Sequence, residues 1–227
     1  MKQINSSIYK LLFAGWLGVV LFWLAGVPDG SYQTIDVNIS IWFTGVLKAH
    51  PDVAQVLYNF NSISEAYTNV LVMFACLVFG MLRLKSQDRT AGFFKILAAF
   101  IWVEFWIIFV INPFISQFLT LDVNMVPEVS SWINETQRVV GNETALISRH
   151  VFTMLFLAWY NVDERVDFLS KILIYSCAII FSFAPILNAH HWMSDFLFSG
   201  WLAYSFVHLS ALCKLEYWLQ NWFSNNK

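Results

Sequence analysis

Charge is what this sequence has least of. Only 12% of its 227 residues are Asp, Glu, Lys or Arg, about half the share of an ordinary soluble domain. The 13 Lys and Arg form no basic cluster suited to nucleic acid, which excludes that class of partner. Cysteine is scarce as well. Cys76, Cys177 and Cys213 are odd in number, far apart, and set in or beside apolar runs. No metal-ligand spacing joins them, so they read as small buried thiols. No repeat at solenoid periods occurs, and no stretch has the composition of a second, soluble domain. The first apolar run is followed by no small-residue cleavage site, so it reads as an uncleaved span.

What is there is apolar and aromatic: 58% hydrophobic residues, with 22 Phe, 11 Trp and 8 Tyr. This composition predicts an all-α, polytopic membrane bundle of a single domain over residues 1–227. Six apolar runs are long enough to cross a bilayer or nearly so. They are Leu11–Val27, Ala66–Leu82, Phe93–Ile111, Ala145–Tyr160, Phe168–Leu187 and Phe196–Leu212. Between the first two, Thr34–Asn61 mixes Ile35, Val37, Trp42 and Leu47 with Asp36, Asn38, Lys48 and His50. That mixture predicts a short interfacial helix broken near Pro51. The loop after the third run, Ser116–Thr144, is long and acidic, with Arg138 its single cation. Its Asn134 and Asn142 triplets match glycosylation acceptors, a pattern too frequent to carry weight.

Lys and Arg concentrate near the N-terminus, in the Arg83–Lys95 loop, around Arg165 and at the C-terminus. Six spans with both termini in the cytoplasm satisfy this bias, because basic loops are retained there. Two polar knots then fall on the opposite side: Ser148-Arg149-His150 at the mouth of the fourth span, and Asn188-Ala-His-His-Trp-Met-Ser-Asp195 before the sixth. His191 and Asp195 are four apart, so one helical turn would bring the carboxylate under the imidazole. A carboxylate in that place fixes the tautomer of a nucleophilic or basic histidine. The plainer reading of His190, His191 and Trp192 is an interfacial belt, and the shared sidedness of the two knots favours the chemical one. Glu104, inside the third span, is either a functional acid or a protonated carboxyl bonded to a neighbouring helix. His208, in the sixth span, reads as structural.

These knots resemble the type 2 phosphatidic acid phosphatase superfamily. That family's third motif is Ser-Arg, five residues, His, three residues, Asp; its last two positions fall on His191 and Asp195. Its second motif, Pro-Ser-Gly-His, is matched in part by Ile147-Ser148-Arg149-His150. Within the superfamily the chain is most similar to bacterial lipid A 1-phosphate phosphotransferases that use undecaprenyl diphosphate, through Ala189–Asp195 and the Gly30–Trp42 stretch. The resemblance implies phosphoryl transfer through a phosphohistidine on His191, with Asp195 orienting it and His150 protonating the leaving oxygen. Ser148 and nearby amides would hold phosphate oxygens, with neither metal nor other cofactor required. It also implies a membrane lipid phosphate as substrate and a site facing the periplasm from a bacterial inner membrane.

The chain departs from the family where charge is neutralised. The first motif, Lys, six residues, Arg-Pro, has no counterpart in Phe105–Pro113, and the Ser-Arg pair of the third is Ala184-Pro185. Arg149 is a new cation where the family has glycine: a bidentate phosphate clamp, a headgroup anchor or a partner of Glu143. Arg138 is a second candidate cation. Two readings follow: a lipid phosphatase or phosphotransferase, or a degraded relative that binds a lipid or a partner membrane protein. A proton-coupled transporter ranks below both, since no paired broken helices mark repeat halves.

Overall fold

The computed structural model describes residues 6–26, 39, 42–43, 45–56, 59, 78, 89–113, 147–164, 166–187 and 193–225. Among these residues all regular structure is helical. The second predicted span, apart from Val78, and the loop 114–146 lie outside them. We number the helices α1 (Ser6–Gly26), α2 (Arg89–Trp106), α3 (Arg149–Asn161), α4 (Phe168–Leu187), α5 (Met193–Leu212) and α6 (Leu215–Asn225). Two helical runs, Thr90–Ile111 and Asp195–Asn225, are long and apolar enough to cross a membrane.

α3 is the centre of the assembly. All of its residues except Arg149 and Trp159 are buried, and it packs most extensively on α5, then on α4, then on α2. A helix apolar all round belongs inside a bundle. Its 13 residues rise only about 20 Å, so it begins later than the sequence predicts, at Arg149 rather than Ala145. Ser148 is the reason. Its extended backbone (φ −80°, ψ 111°) and its Oγ, which accepts from the Val151 amide at 3.3 Å, cap the helix.

Helix directions follow from the contacts. Phe152 meets Phe206 and Trp159 meets Tyr204, while the Ser148 N–H donates to Ser199 Oγ at 2.7 Å. Ser148–Ser199 at the start of both helices and Trp159–Tyr204 further along both set the two parallel, while the early Phe152 reaches up to Phe206. A Cβ on Gly200 would stand 3.1 Å from Leu155 Cδ1, a measure of how closely they approach. α2 is antiparallel to both. At one end Phe94 stacks near Phe223 and Lys95 pairs with Asp163; at the other the Trp106 indole donates to Ser210 Oγ at 2.8 Å. α1 leans on α5 through Trp16, whose indole donates to Ser205 Oγ at 3.0 Å, and through Gly15, where a Cβ would collide with the Trp201 indole.

Several details differ from expectation. The third span begins at Arg89 and continues helical through Pro113, with a π-turn over Ile107–Ile111 in which the Asn112 amide reaches back to Ile107 O. Proline cannot donate to the preceding turn and crowds its carbonyl, which widens the helix just before it. α6 is a helix absent from the sequence reading. It is set off from α5 by a break at Cys213–Lys214, where Lys214 adopts a left-handed φ of 47°. Cys213 is exposed and Cys177 half-buried, so the buried-thiol expectation fails for Cys213. Within 45–56 the helix breaks at His50, one residue before Pro51, as Pro51 requires.

Candidate functional site

Three helix ends meet at one end of the bundle: the start of α3, the end of α4 and the start of α5. The Ser148–Ser199 hydrogen bond joins the first and third. Phe183 and Phe196, with ring centroids 4.5 Å apart, join the second and third. The parallel run of α3 and α5 thus brings two of the sequence-predicted residues to one end. His150 is 6% exposed in the first turn of α3, and Asp195 is 2% exposed in the first turn of α5. His191 lies outside the described residues, as do Arg138 and Glu143.

Phe152 faces α5 through Phe206, and His150, two residues earlier, sits about 160° around the helix from it. α4 packs broadly on α3 and, away from the Phe183–Phe196 contact, only slightly on α5. Asp195 belongs to the buried stripe Asp195–Ser199–Leu202 of α5, one turn above the hydroxyl that holds Ser148.

Ser148 is more committed than the sequence suggests. Its backbone N–H is given to Ser199, its Oγ accepts from Val151, and its carbonyl accepts from the Phe152 amide at 2.9 Å. What it retains for a ligand is the hydroxyl proton. Arg149 is exposed; the only ion pair among the described residues is Lys95–Asp163, at the far end. Glu104 is half-buried on α2 and makes no hydrogen bond among the described residues, so the bond to a neighbouring helix, one of its two readings, is not found there. His208 stands edge-on to Tyr204 with centroids 4.6 Å apart, in keeping with a packing role.

Sequence reasoning missed three buried hydroxyls at this end: Ser199, Ser182 and Thr153. Ser199 was accessible, being one turn after Asp195 on any helix that starts at the motif. Ser182 was accessible too, as the last member of a four-residue spacing, Ser170–Ile174–Ala178–Ser182, that forms the buried face of α4.

The opposite end of α3 is built from mutual partners. Lys95 Nζ bonds Asp163 Oδ2 at 2.9 Å and lies 5.9 Å above the Tyr160 ring. The Tyr160 hydroxyl donates to Glu216 Oε2 at 3.0 Å. Just beyond, Asp167 caps α4 by accepting from the Ser170 amide and hydroxyl, and these bonds hold its carboxyl below the usual aspartate range.

Comparison of the chain with protein-family models, with curated proteins and with solved structures finds no match to any of them.

Proposed function

We propose that this chain is a six-span membrane lipid phosphatase or phosphotransferase of the type 2 phosphatidic acid phosphatase kind. Its substrate is a polyprenyl diphosphate or a lipid A phosphate, met at the outer face of a bacterial inner membrane. The observation that supports this most is the parallel pairing of α3 and α5, fixed by Ser148 and Ser199, with His150 and Asp195 buried at its one end.

In this reading an imidazole nitrogen of His191 attacks phosphorus while Asp195 holds the other ring N–H. A P–N bond forms, the bond from phosphorus to the lipid oxygen breaks, and His150 gives that oxygen a proton. Water or an acceptor hydroxyl then attacks the phosphohistidine, His150 takes its proton, and the P–N bond breaks. Such chemistry depends on positioning and on stabilising spread negative charge. Asp195, in the low-dielectric interior, offsets the charge gained by the His191 ring.

A second reading, a degraded relative that holds a lipid or a partner membrane protein, draws on Arg149. Its side chain is exposed, as suits a headgroup anchor better than a clamp inside the bundle. Phosphate release and phosphotransfer from undecaprenyl diphosphate, measured on the purified protein beside His191→Ala and His150→Ala, separate the two. Activity in the wild type that both substitutions abolish supports the enzyme. Wild type no faster than either variant across polyprenyl, phospholipid and lipid A phosphates supports the binding protein.

A further inference from the structure

Hydroxyls buried in a helix ordinarily take a carbonyl one turn back as partner. This protein does so at Ser205, whose Oγ donates to Trp201 O at 2.9 Å. Ser182 and Thr153 do not. Both are 0% exposed, and neither Ser182 Oγ nor Thr153 Oγ1 has a hydrogen-bond partner among the described residues. A buried donor without a partner is costly, and two at one end of a bundle call for an explanation.

Their placement supplies one. The α3–α4 hairpin turns at residues 162–167. From Asn161 back to His150 is about 17 Å of helix, and from Ser170 forward to Ser182 about 18 Å, so Ser182 comes level with His150. Ser182 extends the buried stripe that α4 turns to its neighbours, and the adjoining Phe183 touches Phe196, next to Asp195. Thr153 is one turn deeper on α3, within about 60° of His150 around the helix. The end of the bundle where His150 lies thus carries two uncommitted hydroxyls, one on α3 and one on α4.

We infer that Ser182 and Thr153 are hydroxyl donors of a phosphoryl-binding subsite where α3, α4 and α5 converge. The inference rests on the phosphoryl-transfer reading above and adds the residues that take the phosphoryl oxygens. Neutral donors fixed in a dry site stabilise an oxyanion without a full positive charge, because the low dielectric strengthens each bond. Hydroxyls on α3 and α4 then do what side-chain cations would do, and the absence of Lys and Arg from Phe105–Pro113 and Ala184-Pro185 has a structural counterpart.

The test uses the full chain in detergent and orthovanadate, which mimics a phosphoryl group in transfer. Affinity is measured by calorimetry for wild type, Ser182→Ala, Thr153→Val and the conservative Ser182→Thr, with thermal midpoints alongside. Wild type binds, and the first two substitutions each weaken vanadate by about ten- to a hundredfold. Their thermal midpoints stay level or rise, since an unpaired buried hydroxyl has been removed, and Ser182→Thr restores most of the affinity. Wild-type binding that both variants retain in full overturns the subsite and leaves phosphoryl transfer standing. Lowered midpoints with unchanged vanadate affinity assign the hydroxyls a packing role and overturn it too. A wild type that binds no vanadate, and releases no phosphate from any lipid, overturns both readings together.

Discussion

The two ends of α3 are both polar, and they are polar in different ways. At the Asn161 end polar groups are paired with one another: Lys95 with Asp163, Tyr160 with Glu216, Asp167 with Ser170. At the Ser148 end the carboxylate and imidazole are buried at 2% and 6% exposure, and neighbouring hydroxyls have no partner. Polar groups that only hold helices together satisfy one another, since an unmatched buried group costs more than a matched one returns. In the proposed reading the partnerless hydroxyls of Ser182 and Thr153 mark the end where a phosphoryl group binds. The difference is in pairing, not in the number of polar residues.

That contrast can be broken by substitution at either end, and the largest effect lies at the Ser148 end. Asp195→Asn keeps shape and removes charge; phosphate release from a lipid phosphate is expected to fall on the order of 10⁴-fold, as for an orienting carboxylate in a triad, with the fold retained by circular dichroism. At the other end Tyr160→Phe removes a hydrogen bond to a carboxylate. It should cost about 1.5–3 kcal/mol of stability, read as a lower thermal midpoint, with turnover per folded molecule unchanged. Loss of turnover there would erase the distinction between the ends.

Ser148→Ala sharpens the comparison because Ser148 belongs to both categories. The cap is lost at about 1 kcal/mol, while the backbone bond to Ser199 survives, so activity should fall further than stability explains. Lys95→Ala is smaller. The Lys95–Asp163 pair is 19% and 29% exposed, and such pairs contribute about 1 kcal/mol or less; a double cycle with Asp163→Ala measures the coupling. Smallest is a pH effect at Asp167. Its carboxyl is held below the ordinary value by Ser170, so its contribution to folding is full above the unfolded aspartate range, near pH 4. That contribution is lost as pH falls through the lower folded value. Asp167→Ala should remove a slight acid-side loss of stability in thermal melts between pH 5 and pH 2.

The sequence made the helices legible because long apolar runs have few alternatives. α4 matches its predicted span, and α5 begins three residues early because Met193 and Asp195 supply its first turn. α6 was hidden: Glu216, Gln220 and Asn221 make Leu215–Asn225 look like a polar tail, and only Leu219 is buried. Of the site, charge bias put Ser148–His150 and Asp195 at one end, as the α3–α5 packing has them. Which side of α3 each faces was not legible. That depends on where α4 docks, and a helix buried on every side carries no polar face to reveal it. Ser182 and Thr153 escaped notice because a lone hydroxyl in an apolar run is unremarkable until its partner is found to be missing.

α3 also bears on how the chain comes together. Its closest neighbour, α5, is made more than thirty residues later, and about 20 Å of helix falls short of the roughly 30 Å apolar layer of a bilayer. In the proposed six-span arrangement α3 would enter the membrane carrying Ser148, His150, Thr153 and Asn161 before α5, the helix it packs on most, exists. In the proposed arrangement roughly the last sixth of the chain, from Met193 on, would be the keystone: until α5 packs alongside, the interior that holds the histidine and its hydroxyls would be an open seam.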